Sequence, residues 1–267
     1  MPKIDSGFFD IGYMDRLSHQ KTIIHGLDPR AKLITTLIFI FFVVSFDKYE
    51  LSALVPYVMY PFFLCSFGNI PFGFLIKRIL LVSPFAIMIG VFNPWIDSNN
   101  LVVIGDIDIS AGWVSFGSIL LRFFLTVGAA LSLVAVTGFT NVCLAMEKLK
   151  VPKVFVVQLL FLYRYLYVLL AEAARMVRAS EFRRIDGKGL GIGVFGSLVG
   201  HLLLRTLDRA QRIHLSMHCR GFDGRIRSLV KLSFRPTDVL FITGWLAVFF
   251  FLKHYNLSQL VGRLIVG

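Results

Sequence analysis

The stretch Leu203-Leu204-Arg205-Thr206-Leu207-Asp208-Arg209-Ala210-Gln211-Arg212, followed by Met217-His218-Cys219-Arg220-Gly221-Phe222-Asp223-Gly224, decides how the chain is read. Arg205, Arg209 and Arg212 step by four and three, so one helix face carries three guanidinium groups. Asp208 sits three after Arg205 and four before Arg212, within pairing range of either at about 0.2–0.5 kcal/mol. Leu198, Leu202, Leu207 and Leu215 supply the other faces. Gly221 suits the left-handed residue that ends a helix. The result is a helix with a cationic and an apolar side, which a simple connection between membrane helices would not need.

The rest of the chain is far more apolar. It has 267 residues, 56% of them hydrophobic, a mean hydropathy of +0.74 and 27 Phe. That is more than the core of one soluble domain buries, and several runs approach the ~20 residues that cross a bilayer as a helix. The expected fold is all-α: a polytopic membrane protein with about five transmembrane helices and a module of long helices on the cytoplasmic side. A formal charge of +12 could suggest nucleic acid. In a membrane protein, however, Lys and Arg collect in cytoplasmic loops, so the expected contacts are membrane lipid and protein, not nucleic acid. Cys65, Cys143 and Cys219 are far apart and form no CxxC, which argues against a disulfide framework or a zinc site. The first thirty residues lack the basic start and apolar run of a cleavable signal, so the first hydrophobic helix is expected to direct insertion.

In chain order, Asp28 is placed to cap a helix and Pro29 to occupy its first position. Arg30 and Lys32 then fall at the membrane edge, where long cationic side chains can snorkel. Spans are expected at about 31–46, 51–67 (bent by Pro56 and Pro61), 79–92, 111–138 (containing Arg122) and 239–252. Between Arg78 and Arg122 there is no Lys or Arg, whereas Asp97, Asp106 and Asp108 are present, so that connection belongs outside. From Lys150 to Arg235 there are sixteen Lys and Arg against five Asp and Glu, a cytoplasmic bias. The segment 154–170 is apolar, but Gln158, Arg164 and Glu172 favour a helix lying at the interface. The division is therefore membrane helices over 1–138, a cytoplasmic module over 139–235, and a last membrane helix with its tail over 236–267. Within the module, Thr140 is placed to cap a short helix, and Pro152 starts a long one reaching about Arg184. A Gly-rich connector follows over 186–196, and the cationic helix runs from about Ser197 to Arg220.

Few motifs carry chemistry. Gly191-Ile192-Gly193-Val194-Phe195-Gly196 matches GxGxxG but follows a helix, whereas a dinucleotide fingerprint needs a preceding strand; it reads as a connector. No Walker A sequence is present, so ATP hydrolysis is not expected of this chain. His214 and His218 are one helical turn apart, a spacing that can hold a metal. Arg212, Arg220, Arg225 and Arg227 surround them, and the pair reads as solvated or interfacial histidines. Arg122 inside a span is either a functional residue or a structural contact of the bundle. No Ser-His-Asp, Cys-His or paired-carboxylate arrangement is evident. Neither an enzyme nor a resident metal or cofactor is expected.

Two long helices thus each end in arginine, at Arg183-Arg184 and at Arg220, with Phe182 and Phe222 as apolar neighbours. A rigid cation beside an apolar knob suits docking into a groove of a protein partner, where Arg often dominates binding. Over nearly its whole length the chain resembles the transmembrane T component of energy-coupling factor transporters, in the CbiQ-like cobalt and nickel group. The resemblance rests on Leu27-Asp28-Pro29-Arg30-Ala31-Lys32-Leu33, Leu149-Lys150-Val151-Pro152 and Tyr163-Arg164-Tyr165 followed by Glu172. It rests above all on Leu204 to Gly224, with Arg205, Asp208-Arg209-Ala210, Met217 and Arg220-Gly221-Phe222-Asp223-Gly224. It implies a non-catalytic subunit joining two ABC-type ATPases to a substrate-binding membrane subunit, through two helices that each carry an Ala-Arg-Gly type motif. The second motif falls on Cys219-Arg220-Gly221, with Cys in place of Ala, and the first on Phe182-Arg183-Arg184, where only an arginine is retained. Arg205, Asp208, Arg209 and Arg212 would support the second helix. A stand-alone secondary transporter or channel is the alternative; it would need polar residues at mid-membrane, and the spans offer little beyond Arg122.

Overall fold

The computed structural model describes residues 12–20, 22–47, 50–93, 100–104, 107–183, 191–224, 226 and 233–255. Helix α1 is Pro29–Val44, α2 Leu51–Leu54, then a 3-10 turn at Val55–Val58, α3 Met59–Phe67 and α4 Phe72–Gly90. Strands β1 (Asn100–Ile104) and β2 (Ile107–Ser110) pair antiparallel, with Ile104 opposite Ile107. Helix α5 is Ala111–Thr137, α6 Phe139–Lys148, α7 Lys153–Phe182, α8 Ile192–Cys219 and α9 Pro236–His254. The architecture is that of an all-α polytopic membrane protein, with the small β ribbon as its departure from pure helix.

The chain forms two compact units: Met14–Ala145 with Leu232–Gly267, and Met1–Tyr13 with Met146–Lys231. The first unit is organised by aromatic rings. Phe39 of α1 stacks on Tyr60 at 4.6 Å between centroids, Tyr60 meets Trp245 of α9 edge-on at 4.9 Å, and Phe249 lies 5.5 Å from Phe39. Three hydroxyls in this core are satisfied internally: Tyr57 donates to the Phe249 carbonyl at 2.9 Å, and Thr36 Oγ1 bonds the Tyr60 hydroxyl at 2.7 Å. That matters because a hydrocarbon surrounding offers polar groups no water. Outside the core, Phe41, Leu81, Phe85, Leu240 and Phe250 are exposed, the outward apolar surface of helices solvated by lipid.

Helices α4, α5, α7 and α9 are each long and apolar enough to cross a membrane, and Leu51–Phe67 is a shorter apolar helical run. By length and composition α7 therefore joins the candidates, where sequence reading favoured an interfacial helix. The second span breaks where proline was expected to bend it: Pro56 lies inside the 3-10 turn. Helix α4 begins seven residues earlier than expected, so Lys77 and Arg78 are inside the helix and not ahead of it. Thr140 also lies inside its helix, because α6 opens at Phe139 directly after Gly138 at φ 79.

The start of α1 is built as read. Asp28 Oδ1 accepts from the Arg30 N–H at 2.9 Å and Pro29 fills the first position. The backbone N–H of Asp28 donates in turn to Asp238 Oδ1 at 2.8 Å, while Asp238 Oδ2 accepts the Arg235 N–H at 2.7 Å. Asp238, in the first turn of α9, is 1% exposed and Asp28 4%. One buried carboxylate thus ties the starts of α1 and α9 together. Lys32 is 2% exposed, with Asp28 and Asp238 as its opposing charges. It is a buried member of this cluster and does not snorkel.

Arg122 is a structural contact. Its Nη2 donates to the Phe46 carbonyl at 3.0 Å and to the Asp47 carbonyl, bracing the turn that follows α1, where the Asp47 carbonyl also accepts the Glu50 N–H at 3.1 Å.

Candidate functional site

Helices α7 and α8 lie side by side and run in opposite directions. Phe161 of α7 is near Phe222 beyond the end of α8, at 6.3 Å between ring centroids, and Glu172 meets Arg205 further along. Glu172 is the junction. Its Oε1 accepts from Arg205 Nη1 at 2.9 Å, its Oε2 from Arg175 Nη2 at 2.6 Å, and Arg209 Nη2 is 3.5 Å from Oε2. Three guanidinium groups share a carboxylate whose side chain is 13% exposed. Arg205 and Arg209 therefore face the neighbouring helix, and Asp208 is not the partner that the helical spacing suggested.

The two sides of this junction differ. Beyond it toward Phe161, the helices enclose an apolar groove of about 520 Å³ lined by Phe161, Tyr165, Leu169, Ile213 and Met217. On the other side, toward Arg183, they line a polar cleft of about 670 Å³ that includes Arg175, Arg183, His201 and Arg205. The helix pair is thus pinned by charge at one level, with grease on one side and cations on the other.

The ends of the helices place the arginines singled out by sequence. Helix α7 closes at Phe182, which is 88% exposed, and Arg183 is its C-cap residue. Arg184 lies outside the described residues. Helix α8 closes at Cys219, and Arg220 is its C-cap residue, with Cys219, Arg220 and Gly221 all exposed. The backbone there forms a Schellman turn: the Gly221 N–H donates to the His218 carbonyl at 2.9 Å and the Phe222 N–H to the Met217 carbonyl at 3.0 Å. Gly221 stands at φ 73. Phe222 and Met217 line the same groove, the apolar contact that commonly accompanies this cap. The turn fixes where Arg220 leaves the helix. A cation at a helix C-terminus also complements the partial negative charge of the last carbonyls.

A side chain at position 221 would meet nothing within 4 Å, so replacement costs conformational energy alone. Gly221→Val is expected to cost about 1–2 kcal/mol, speeding amide exchange at positions 221 and 222 by about tenfold, whereas Gly221→Asn should cost less because Asn visits the left-handed region. Hydrogen-exchange mass spectrometry of the whole chain reads this directly.

Helix α8 begins at Ile192, five residues before the expected start, with Gly191 as its N-cap. Gly193 and Gly196 are therefore helical, and the GxGxxG match is the opening of a helix, not a flexible connector. Arg212 and Asp208 are exposed on α8. Cys65 and Cys143 are buried, and burial pushes the Cys143 thiol up to about 11, so neither is a reactive thiolate. In the sequence Glu172 stands out only as a polar residue that argues against a span and as one position of the family resemblance. Its role as the shared acceptor depends on a partner helix that no local spacing reveals.

Comparison with known proteins fits this arrangement. The chain matches the CbiQ family, described as cobalt transport protein, over residues 20–232. It is 26% identical over 257 residues to the energy-coupling factor transporter transmembrane protein EcfT of Streptococcus thermophilus, covering 87% of this chain and 95% of that one. It is also 26% identical over 247 residues to an uncharacterised protein of Methanocaldococcus jannaschii, covering 84% and 85%. With the family match running from ahead of α1 to beyond α8, the chain belongs to the CbiQ cobalt transport protein family and is a membrane transport subunit of the T-component type.

Proposed function

We propose that the chain is the non-catalytic coupling subunit of an ATP-driven importer of the energy-coupling factor type, with cobalt or nickel ions as cargo. In this reading it sits in the cytoplasmic membrane of a bacterium or archaeon, and residues 139–235 form a module on the cytoplasmic side in which α7, although long and apolar enough to cross, lies along the membrane interface. Two ABC-type ATPase subunits hold the ends of α7 and α8, and a substrate-binding membrane subunit packs against the apolar exterior. The observation that carries the reading is the placement of Arg183 and Arg220, each exposed at the C-cap of a long helix, on a pair pinned together at Glu172. A regular helix transmits displacement where a loop would absorb it, and the shared carboxylate makes the two helices respond together. Phe182 beside Arg183, and Cys219 with Gly221 around Arg220, complete the two contact ends; Arg205 and Arg209 brace α8 through Glu172, while Asp208 and Arg212 remain on its open face. ATP-driven closure of the partners does work on the membrane helices only if the two ATPase states grip these ends differently.

The alternative of a stand-alone transporter would use a polar mid-membrane site. Arg122, the residue that sequence reading offered for one, is occupied by the Phe46 and Asp47 carbonyls. Reconstitution separates the two. Liposomes holding this chain with its ATPase and substrate-binding subunits are expected to accumulate the ion only with ATP inside the coupling compartment, and liposomes holding the chain alone to accumulate none. Uptake by the chain alone would replace the coupling reading with the transporter reading.

A further inference from the structure

His214 and His218 are exposed on the last turns of α8, with Nε2 atoms 3.1 Å apart and ring planes at 81°. Two nitrogens at that separation subtend an angle of about 100° at a metal placed about 2.05 Å from each, between the octahedral and tetrahedral values. Of the four arginines that sequence sets against a metal, Arg225 and Arg227 lie outside the described residues, and the other two stand away from the pair on the helix. Arg212 precedes His214 by two residues and Arg220 follows His218 by two, and positions two apart on a helix do not face each other. Arg205 and Arg209, further up the helix, are directed to Glu172. No group of three or more His, Cys, Asp or Glu suited to a metal occurs among the described residues, so the protein would supply two ligands and water the others.

We propose that His214 and His218 form a bidentate site for a late first-row divalent ion such as Cu²⁺, Ni²⁺, Zn²⁺ or Co²⁺. Imidazole nitrogen selects these ions, whereas Mg²⁺ and Ca²⁺ take oxygen ligands. In the metal-free pair, one neutral ring donates its Nε2–H to the other ring's Nε2. On metal binding the donor ring gives up that proton and takes one at Nδ1, so both Nε2 lone pairs are free for the metal and no net proton is released from the pair. The chelate closes a ring across one helical turn immediately before Arg220. Occupancy therefore stiffens the end of α8 and adds two positive charges beside the cap. This site stands independently of the coupling reading, since it requires only the geometry of α8.

The test uses the full chain, free of any affinity tag, stripped with chelator and held in nanodiscs, titrated with Ni²⁺ and with Cu²⁺ by calorimetry. One saturable equivalent is expected, tighter for Cu²⁺ than for Ni²⁺ in accordance with the general order of affinities, together with a Ni²⁺-dependent rise in melting temperature. Both signals should be lost in His214→Ala and in His218→Ala, and kept in His201→Ala and Cys219→Ser. His214→Gln and His218→Gln, which keep a polar side chain on the same exposed face, should lose them as well. Absence of saturable binding in the parent, binding that survives either histidine substitution, or binding that needs Cys219 would overturn the proposal.

Discussion

Replacing Asp238 with alanine is expected to lower the stability of the membrane unit by about 3–5 kcal/mol, the range for removing one member of a buried charged cluster. Two effects add. The N–H groups of Asp28 and Arg235 lose their acceptor, and a buried donor without a partner costs about 1–3 kcal/mol. Lys32, 2% exposed, also loses one of its two opposing charges. For a chain of this size the drop corresponds to a melting temperature lower by about 10 °C, measured by thermal unfolding in detergent. Asp238→Asn should fall between the parent and the alanine variant, because its single carbonyl oxygen can serve one of the two N–H groups. An unchanged melting temperature for Asp238→Ala would show that the starts of α1 and α9 are not held by this side chain.

How much of this was legible depends on sequence distance. The Asp28-Pro29 start of α1 and the Gly221 end of α8 were both readable, because caps are made by groups within a few residues of each other. The long helices α7 and α8 showed in their apolar spacing, although the start of α8 was misplaced by glycines that are tolerated inside a helix. The contacts that assemble the molecule were not readable. Glu172 and Arg205 are 33 residues apart, Arg122 and Phe46 76, and Asp28 and Asp238 210. No periodicity announces such pairs, so Arg122 looked like a possible functional residue and Lys32 like a snorkelling one. Two further features carry local signals in the sequence. Pro236 with Asp238 two residues later is a helix opening. Leu101-Val102-Val103-Ile104, Gly105-Asp106 and Ile107-Asp108-Ile109 read as two β runs around a turn dipeptide.

The other large effect concerns Arg220. It is exposed, the Schellman turn fixes its departure from the helix, and it stands at the helix end where a positive charge is favoured. Its fork of donors can engage a carboxylate in two parallel bonds, which a lysine ammonium cannot do. Arg220→Glu reverses the charge and also sets an anion against the last carbonyls of α8. Truncating one partner of a buried, hydrogen-bonded charge pair costs about 2–5 kcal/mol or more, and reversal adds repulsion, so a complex that depends on this contact should not survive purification. Because Arg220 makes none of the internal ion pairs at Glu172, the variant should still fold, with α7 and α8 intact by circular dichroism. Arg220→Lys should retain part of the association and Arg183→Glu should weaken it independently.

The decisive measurement is co-purification of the ATPase subunits with the membrane-embedded chain, comparing the parent with Arg220→Glu at equal expression. The coupling account predicts a stable complex with the parent and its loss, together with ATP-driven uptake, in the variant. Full recovery of the complex and normal uptake with Arg220→Glu would contradict it.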